Sequence, residues 1–258
     1  MSFTSHIFKW IRYRRNAIDK FSVHSPFLFS LINEVIEKRN GGGWAEAENV
    51  RRKWAKRTDC INRHDLGASD KKCTGPVSIG YIVKHHAIKK KYGRLLYRLV
   101  KATQAQQLLE LGTSAGISTS YMASAAPGAQ LFSVEACPET HAIASKHPLL
   151  QSSDIHLICA RFDDALEQFQ KEDLRFDVIF IDGDHSKEAT LRYFNKLLTL
   201  SHINTLFIFD DIHWSDGMED AWEEIKAYPQ VTLTLDLFQF GLVYLKKELS
   251  KQDIILRF

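Results

Sequence analysis

The stretch Gln107–Tyr121, QLLELGTSAGISTSY, decides the fold. Leu108-Leu109-Glu110-Leu111 is a short apolar run of the kind that makes a buried parallel strand. Gly112 and Gly116 bracket a turn, and Ile117 to Ala126 has helical spacing. Glycine at a strand-to-helix turn lets the backbone tighten and approach a ligand, and the first turn of the helix offers unpaired N–H groups at a positive dipole end. The spacing is not the G-x-G-x-x-G of a dinucleotide site, and the G-K-[ST] of a phosphate loop is absent. The ends of the following strands have to decide between ligands.

Working outward, Glu135 closes the next strand (Gln130 to Glu135), placed as an acid that meets ribose hydroxyls. Asp154 to Cys159 reads as a third strand. FDVIFIDGDH (Phe176 to His185) and LFIFDDIHW (Leu206 to Trp214) are two further apolar strands, each delivering carboxylates at its C-terminal end. Helical spacing separates them over 163–170, 188–200 and 217–228. Val231 to Phe238 and Leu242 to Lys246 read as a hairpin turning near Gly241.

The E-x-G-T-x-x-G loop, the acid after the next strand and the IDGDH and DD endings together resemble the class I S-adenosylmethionine-dependent methyltransferases. Within that class the chain is most similar to the metal-assisted small-molecule O-methyltransferases. The resemblance covers roughly residues 92–258. It implies an α/β fold, an open doubly wound seven-stranded sheet in the order 3-2-1-4-5-7-6 with the last strand antiparallel, behind an N-terminal helical extension. It also implies that Glu110, Gly112, Thr113, Ser114 and Gly116 cup the methionine and ribose edge of the cofactor, that Glu135 binds both ribose hydroxyls, and that Arg161 and Phe162 frame the adenine. Asp182 joins the cofactor set. A nicotinamide cofactor would use the same acid, but its glycine spacing is not met and the acids downstream would have no use.

Asp182 and Asp184 end one strand and Asp210 with Asp211 the next, so several carboxylates would converge on one cleft. Like-charge repulsion makes that unfavourable unless a hard cation such as Mg²⁺ neutralises it through oxygen ligands. Carried over from the metal-assisted relatives, the ligands are Asp182, Asp210 and Asp211. The second position of the pair departs from the catechol-type enzymes, which carry Asn where this chain has Asp211. His185 stands three residues after Asp182, where the catechol-type enzymes place a catalytic lysine. A histidine there could take the proton of an acceptor hydroxyl, and His213 could serve instead. Methyl transfer to a small hydroxylated molecule is the expected reaction, and Trp214 is expected to wall the cleft. A metal-independent N-methyltransferase and a non-catalytic S-adenosylmethionine-binding protein remain the alternatives.

The 258 residues suffice for one large α/β domain and an extension, with 45% apolar and 25% charged residues. A net charge of +3 does not by itself imply nucleic acid, and the basic run Lys84 to Lys91 lacks interleaved aromatic platforms. Four cysteines without regular spacing make no disulfide framework, and no run is long enough for a membrane span. The chain is therefore expected to be cytoplasmic and without integral membrane association, with a homodimer left open, and the resemblance implies a bacterial enzyme. Residues 1–91 form the expected helical extension, and residues 92–258 the catalytic domain. Residues 3 to 15 pattern as a basic amphipathic helix, and Ser25-Pro26 marks a helix start in an HSPF motif like that of a bacterial methyltransferase extension. Between 40 and 76 the apolar rhythm lapses after three glycines, which suggests a lid carrying Trp44 and Trp54. Cys60, His64 and Cys73 are too irregular to suggest zinc.

Overall fold

The protein is described from a computed structural model over residues 3–38, 42–62 and 76–258. The chain begins with α1 (Phe3–Asn16) and α2 (Pro26–Leu31), the latter starting where expected: the Ser25 hydroxyl accepts from the Leu28 N–H and Pro26 occupies the first helical turn. A π-helical turn, Ile32–Ile36, continues it. Next come α3 (Ala45–Trp54), a two-stranded antiparallel ribbon of β1 (Cys60–Asn62) and β2 (Pro76–Ser78), then α4 (Ile79–His85) and α5 (Lys90–Thr103). Part of the lid expected over 40–76 lies outside the described residues, as do His64 and Cys73. The described part packs as core: Trp44, Ala47, Val50 and Trp54 are buried in one cluster with α5 and the sheet. Tryptophans ten residues apart on a short helix have gone inward because α5 and α6 (Ile117–Ala125) offer an apolar face to meet them.

The main sheet alternates with helices. In chain order it contains β3 (Gln107–Leu111), β4 (Gln130–Glu135), β5 (Ile155–Cys159), β6 (Val178–Ile181), β7 (Leu206–Phe209), β8 (Leu233–Asp236), β9 (Gly241–Tyr244) and β10 (Gln252–Ile255). Helices α6, α7 (Pro138–Ala144), α8 (Phe162–Lys171), α9 (Lys187–Thr199) and α10 (Asp216–Ala227) fill the connections. Alternate strand residues feed opposite faces. Val178, Phe180, Leu206 and Ile208 join the core under α3 to α6, while Ile179, Ile181, Phe207 and Phe209 join the core under α8 to α10.

Across the sheet the order is β10-β8-β9-β7-β6-β3-β4-β5, eight strands where seven were expected. The expected order runs from β5 to β8, and β10 extends it at that edge. The last strand is therefore not the antiparallel one. Strand β9 runs antiparallel to both neighbours, and β10 lies parallel to β8. Its sequence, QDII, is short and of mixed polarity, with no alternation to announce a strand. The edge it would expose is covered in turn. Ile18 donates its N–H to the Ile255 carbonyl and accepts from the Arg257 N–H, both at 2.9 Å.

The ladder fixes where the strand ends lie. Leu111 pairs with Val134 of β4 and Ile181 of β6, and Ile181 pairs with Phe209 of β7. The residues that follow, Glu135, Gly112, Asp182 and Asp210, thus form one row at the carboxyl edge. Gly112 is required there: its φ is 105°, and a Cβ would sit 1.9 Å from the Asp182 carbonyl oxygen. Gly112→Ala should lower stability by more than about 2 kcal/mol, combining left-handed strain with a backbone clash. Thermal denaturation beside Gly128→Ala, which has the same backbone sign and open space around it, isolates the clash. Equal losses in the two variants would show that the contact with Asp182 carries no weight.

Candidate active site

The glycine loop rests on a buried polar platform. The Thr113 hydroxyl lies 2.6 Å from that of Ser133, and Ser133 and Thr119 each reach a Glu110 carboxylate oxygen at 2.5 Å. Glu110 is fully buried, so it acts from beneath the loop and not on its ligand face. Burial pushes its carboxyl up to about 7, and the hydroxyls of Ser118, Ser133 and Thr119 oppose that rise. Above the platform, Glu135 accepts from the N–H groups of Ser114 and Cys137, both at 2.9 Å. Ser114 has φ 48°, and its buried Oγ has no protein partner. Gly116 caps α6 in a left-handed conformation. Past β5, Arg161 is exposed at the start of α8, and the Phe162 ring covers Gly183, where a Cβ would come within 2.6 Å of it. A carboxylate at the second strand end, an orphaned serine hydroxyl and a glycine cradle fit the donor and acceptor groups of S-adenosylmethionine.

The acids follow in the same row. Asp210 is buried, and its Oδ1 accepts from the Asp211 N–H at 2.9 Å. Burial, and then the charges of Asp211 and Asp182, raise its carboxyl well above the usual range, against a hydrogen bond from the Gln239 side chain. Asp211 sits at φ 54° and is partly exposed. Asp184 is spent locally, accepting from the hydroxyl of Ser186, which caps α9. The charge pattern suits a cation. The side-chain geometry does not supply one with a ligand set, because no three His, Cys, Asp or Glu residues among those described are arranged to hold a metal.

The two histidines separate clearly. The His185 Nε2 stands 3.8 Å from the Asp182 Oδ1, with a side chain 25% exposed and its ring centroid 6.2 Å from that of Trp214. His213 has both nitrogens engaged, Nδ1 with Glu219 at 2.6 Å and Nε2 with Asp236 at 2.8 Å, and its ring stacks on Phe238. Burial of the ring opposes protonation, but these two carboxylates more than reverse it and its pKa is raised. His213 is a strut between two acids and has no free nitrogen to take a proton from an acceptor.

Residues without any motif complete the place. A cavity of about 250 Å³ is lined by His6, Trp10, Tyr92, Asp211, Trp214 and Phe238, among others. Tyr92 donates its hydroxyl to the Leu237 carbonyl at 2.8 Å and so offers the cavity its ring. Helix α1 reaches this wall because Lys9 pairs with Asp216 at 2.8 Å and Arg12 with Glu219 at 2.6 Å, while His6 packs edgewise and Tyr13 at a tilt on Phe238. A larger cavity, about 410 Å³, lies on the far side of His213. The smaller one combines aromatic walls with Asp211. His6, Trp10, Phe238 and Gln239 were missed in the sequence. The amphipathic pattern over residues 3 to 15 was the only hint that α1 had a buried face.

The comparisons agree with this geometry. A methyltransferase domain family matches residues 109–212, the segment from β3 to the acid pair. The catechol O-methyltransferase of Niastella koreensis is 36% identical over 124 residues, covering 46% of this chain and 55% of that protein. The chain thus spans about half the length of that curated relative. The O-methyltransferase of Bacillus cereus, solved with S-adenosylhomocysteine, is 27% identical with a TM-score of 0.56, over 63% of this chain and 84% of that one. TomG, an O-methyltransferase of Streptomyces achromogenes involved in tomaymycin synthesis and solved with S-adenosylmethionine, shares the fold alone. Its identity is 18% and its TM-score 0.58, over 85% and 95% of the two chains. The fold is that of class I S-adenosylmethionine-dependent methyltransferases, and the sequence is related to small-molecule O-methyltransferases.

The buried carboxyl beneath the loop yields a pH test. A pKa near 7 in the folded chain, above the ordinary 4.5, means that the stability Glu110 contributes is complete below about 4.5 and is lost as pH rises through about 7. Glu110→Gln stays neutral throughout. The stability difference between variant and wild type should grow in the variant's favour by roughly 2–3 kcal/mol between about pH 5 and pH 8. Urea denaturation at the two pH values measures it, and a constant difference would refute the buried, neutral carboxyl.

Proposed function

We propose that this chain methylates a hydroxyl of a small molecule seated in the cavity beside Asp211, with S-adenosylmethionine as donor. The observation that carries this reading is the row Glu135, Gly112, Asp182 and Asp210, which sets a ribose-binding carboxylate, a glycine cradle and an acidic cleft side by side on one sheet edge. When bound, the donor supplies an electrophilic methyl group on a positively charged sulfur. The chain's own residues do the rest. Glu135 has lone pairs left beyond its two backbone bonds and accepts from the ribose hydroxyls, and the Ser114 Oγ gains the partner it lacks. Trp10, Trp214 and Phe238 form the aromatic walls against which the acceptor lies. His185 takes the acceptor's proton, and Asp182 beside it stabilises the imidazolium that results.

Assistance by Mg²⁺ at Asp182, Asp210 and Asp211 is the finer reading, supported by the charge concentrated around Asp210. None of the steps above runs through it. The same acids support a second reading, in which they hold a protonated amine that becomes the acceptor. Turnover of phenols and of amines with and without a chelator separates the two. Loss of phenol methylation on chelation and recovery with Mg²⁺ supports the cation, and unaltered turnover removes it.

Two variants test the division of labour. Glu135→Ala should weaken S-adenosylmethionine binding about 10- to 100-fold by calorimetry, the loss of two hydrogen bonds to a charged acceptor. Unchanged affinity in a variant that melts like wild type would place the ribose elsewhere. His185→Ala should keep donor affinity and lower kcat ~10²-fold near neutral pH. A wild-type rate would end the assignment of His185 as base.

A further inference from the structure

Helix α1 presents two faces. Its inner face, with His6, Lys9 and Tyr13, is committed to the body of the protein. On the opposite side Ile7, Phe8 and Ile11 are 40%, 71% and 41% exposed, and Arg14 and Arg15 are exposed beside them. At 3.6 residues per turn these five positions fall within about a third of the helix circumference. Phe8 is a large ring left mostly in water, and three such side chains on one short helix are a patch and not scatter.

The charges on this face select what covers it. Between residues 3 and 16 the chain has four cations and no acid. Lys9 and Arg12 are paired inward, which leaves Arg14 and Arg15 on the outer side, with Arg14 also resting near the Trp10 ring. A second copy meeting this face about a two-fold axis would bring arginines against arginines, with no acid on the helix to pair them. An anionic bilayer surface meets both demands. It takes apolar side chains into the acyl boundary and arginines at the level of the headgroup phosphates. Among the described residues no helix is long and apolar enough to cross a membrane, so the contact would be superficial.

We propose that the outer face of α1 docks the protein on anionic phospholipid membranes, with Ile7, Phe8 and Ile11 inserted and Arg14 and Arg15 on the headgroups. The inference is independent of the reaction proposed above.

The test is flotation of the full-length protein with vesicles of phosphatidylcholine alone or mixed with phosphatidylglycerol, at low and high salt. Binding is expected only to the mixed vesicles and should weaken as salt screens the arginines. Phe8→Asp and the double variant Arg14→Glu/Arg15→Glu should each lower the partition coefficient at least tenfold. Both changes lie on exposed positions, so melting curves should match wild type and show that the fold is intact. Absence of wild-type binding at low salt, or equal binding of wild type and both variants, overturns the proposal. A wild-type dimer that Phe8→Asp dissociates, with no vesicle binding by either form, would make this face a subunit contact.

Discussion

Everything at the site depends on the parallel ladder holding its register past the ends of the strands. The backbone bonds do not stop at the last strand residue. Gly112 donates to Val134 at 2.9 Å, Asp182 to Leu111 at 2.8 Å and Asp210 to Ile181 at 2.9 Å. These bonds pin the first loop residue of each strand at the edge of the cleft. Moving one strand by a single residue would exchange the side chains it gives to the two cores, so the packing of Leu111, Ile181 and Phe209 guards the register. The fit of Gly112 against the Asp182 carbonyl is what this costs in sequence freedom. Two loops cross at a separation that no side chain tolerates.

Strict register also forces an electrostatic conflict. Asp182 and Asp210 end up adjacent because Ile181 and Phe209 are, and Asp211 follows with its backbone turned left-handed. The conflict is eased in part by raising the Asp210 pKa, and in part by hydrogen bonds from Gln239 and the Asp211 amide. A short distance away the opposite solution operates. Glu219 and Asp236 enclose His213, and Arg12 and Lys9 add positive charge to Glu219. At the cleft acid stands next to acid, and at its border the acids are paired with cations. Local conflicts that a fold tolerates tend to mark where it works.

The contrast explains how much could be read without coordinates. The strands β3, β6 and β7 were legible because each is a short, largely apolar run ended by a Gly or Asp, and β4 and β5 because they are short β-prone runs set between helical patterns. The helix limits followed to within a few residues. Glu135, Asp182 and Asp210 could be named because they lie immediately after such runs. His213 was legible as a residue but not as a strut, since its partners are six and twenty-three positions away and nothing in the spacing announces either. Trp44 and Trp54 suggested a lid, whereas their burial depends on α5 and α6, elements far along the chain. Strand β10 escaped notice because pairing with β8 and Ile18, and not its own composition, makes QDII a strand.

Helix α1 shows why an amphipathic pattern alone could not decide its partner. In fourteen residues with four basic side chains, the apolar residues do not separate into one stripe. His6, Trp10 and Tyr13 face the β8–β9 turn, while Ile7, Phe8 and Ile11 face away from the body. The cations divide in the same way, Lys9 and Arg12 reaching the acids of α10 and Arg14 and Arg15 left outside. What assigns each residue to its face is a set of contacts with Asp216, Glu219 and Phe238, all some two hundred residues later. Because the helix is rigid, the acceptor wall and the outer surface move together. A force that tilts α1 on one side must disturb the Trp10 wall on the other, so the ion pairs with α10 hold the shape of the cavity as much as the position of the helix.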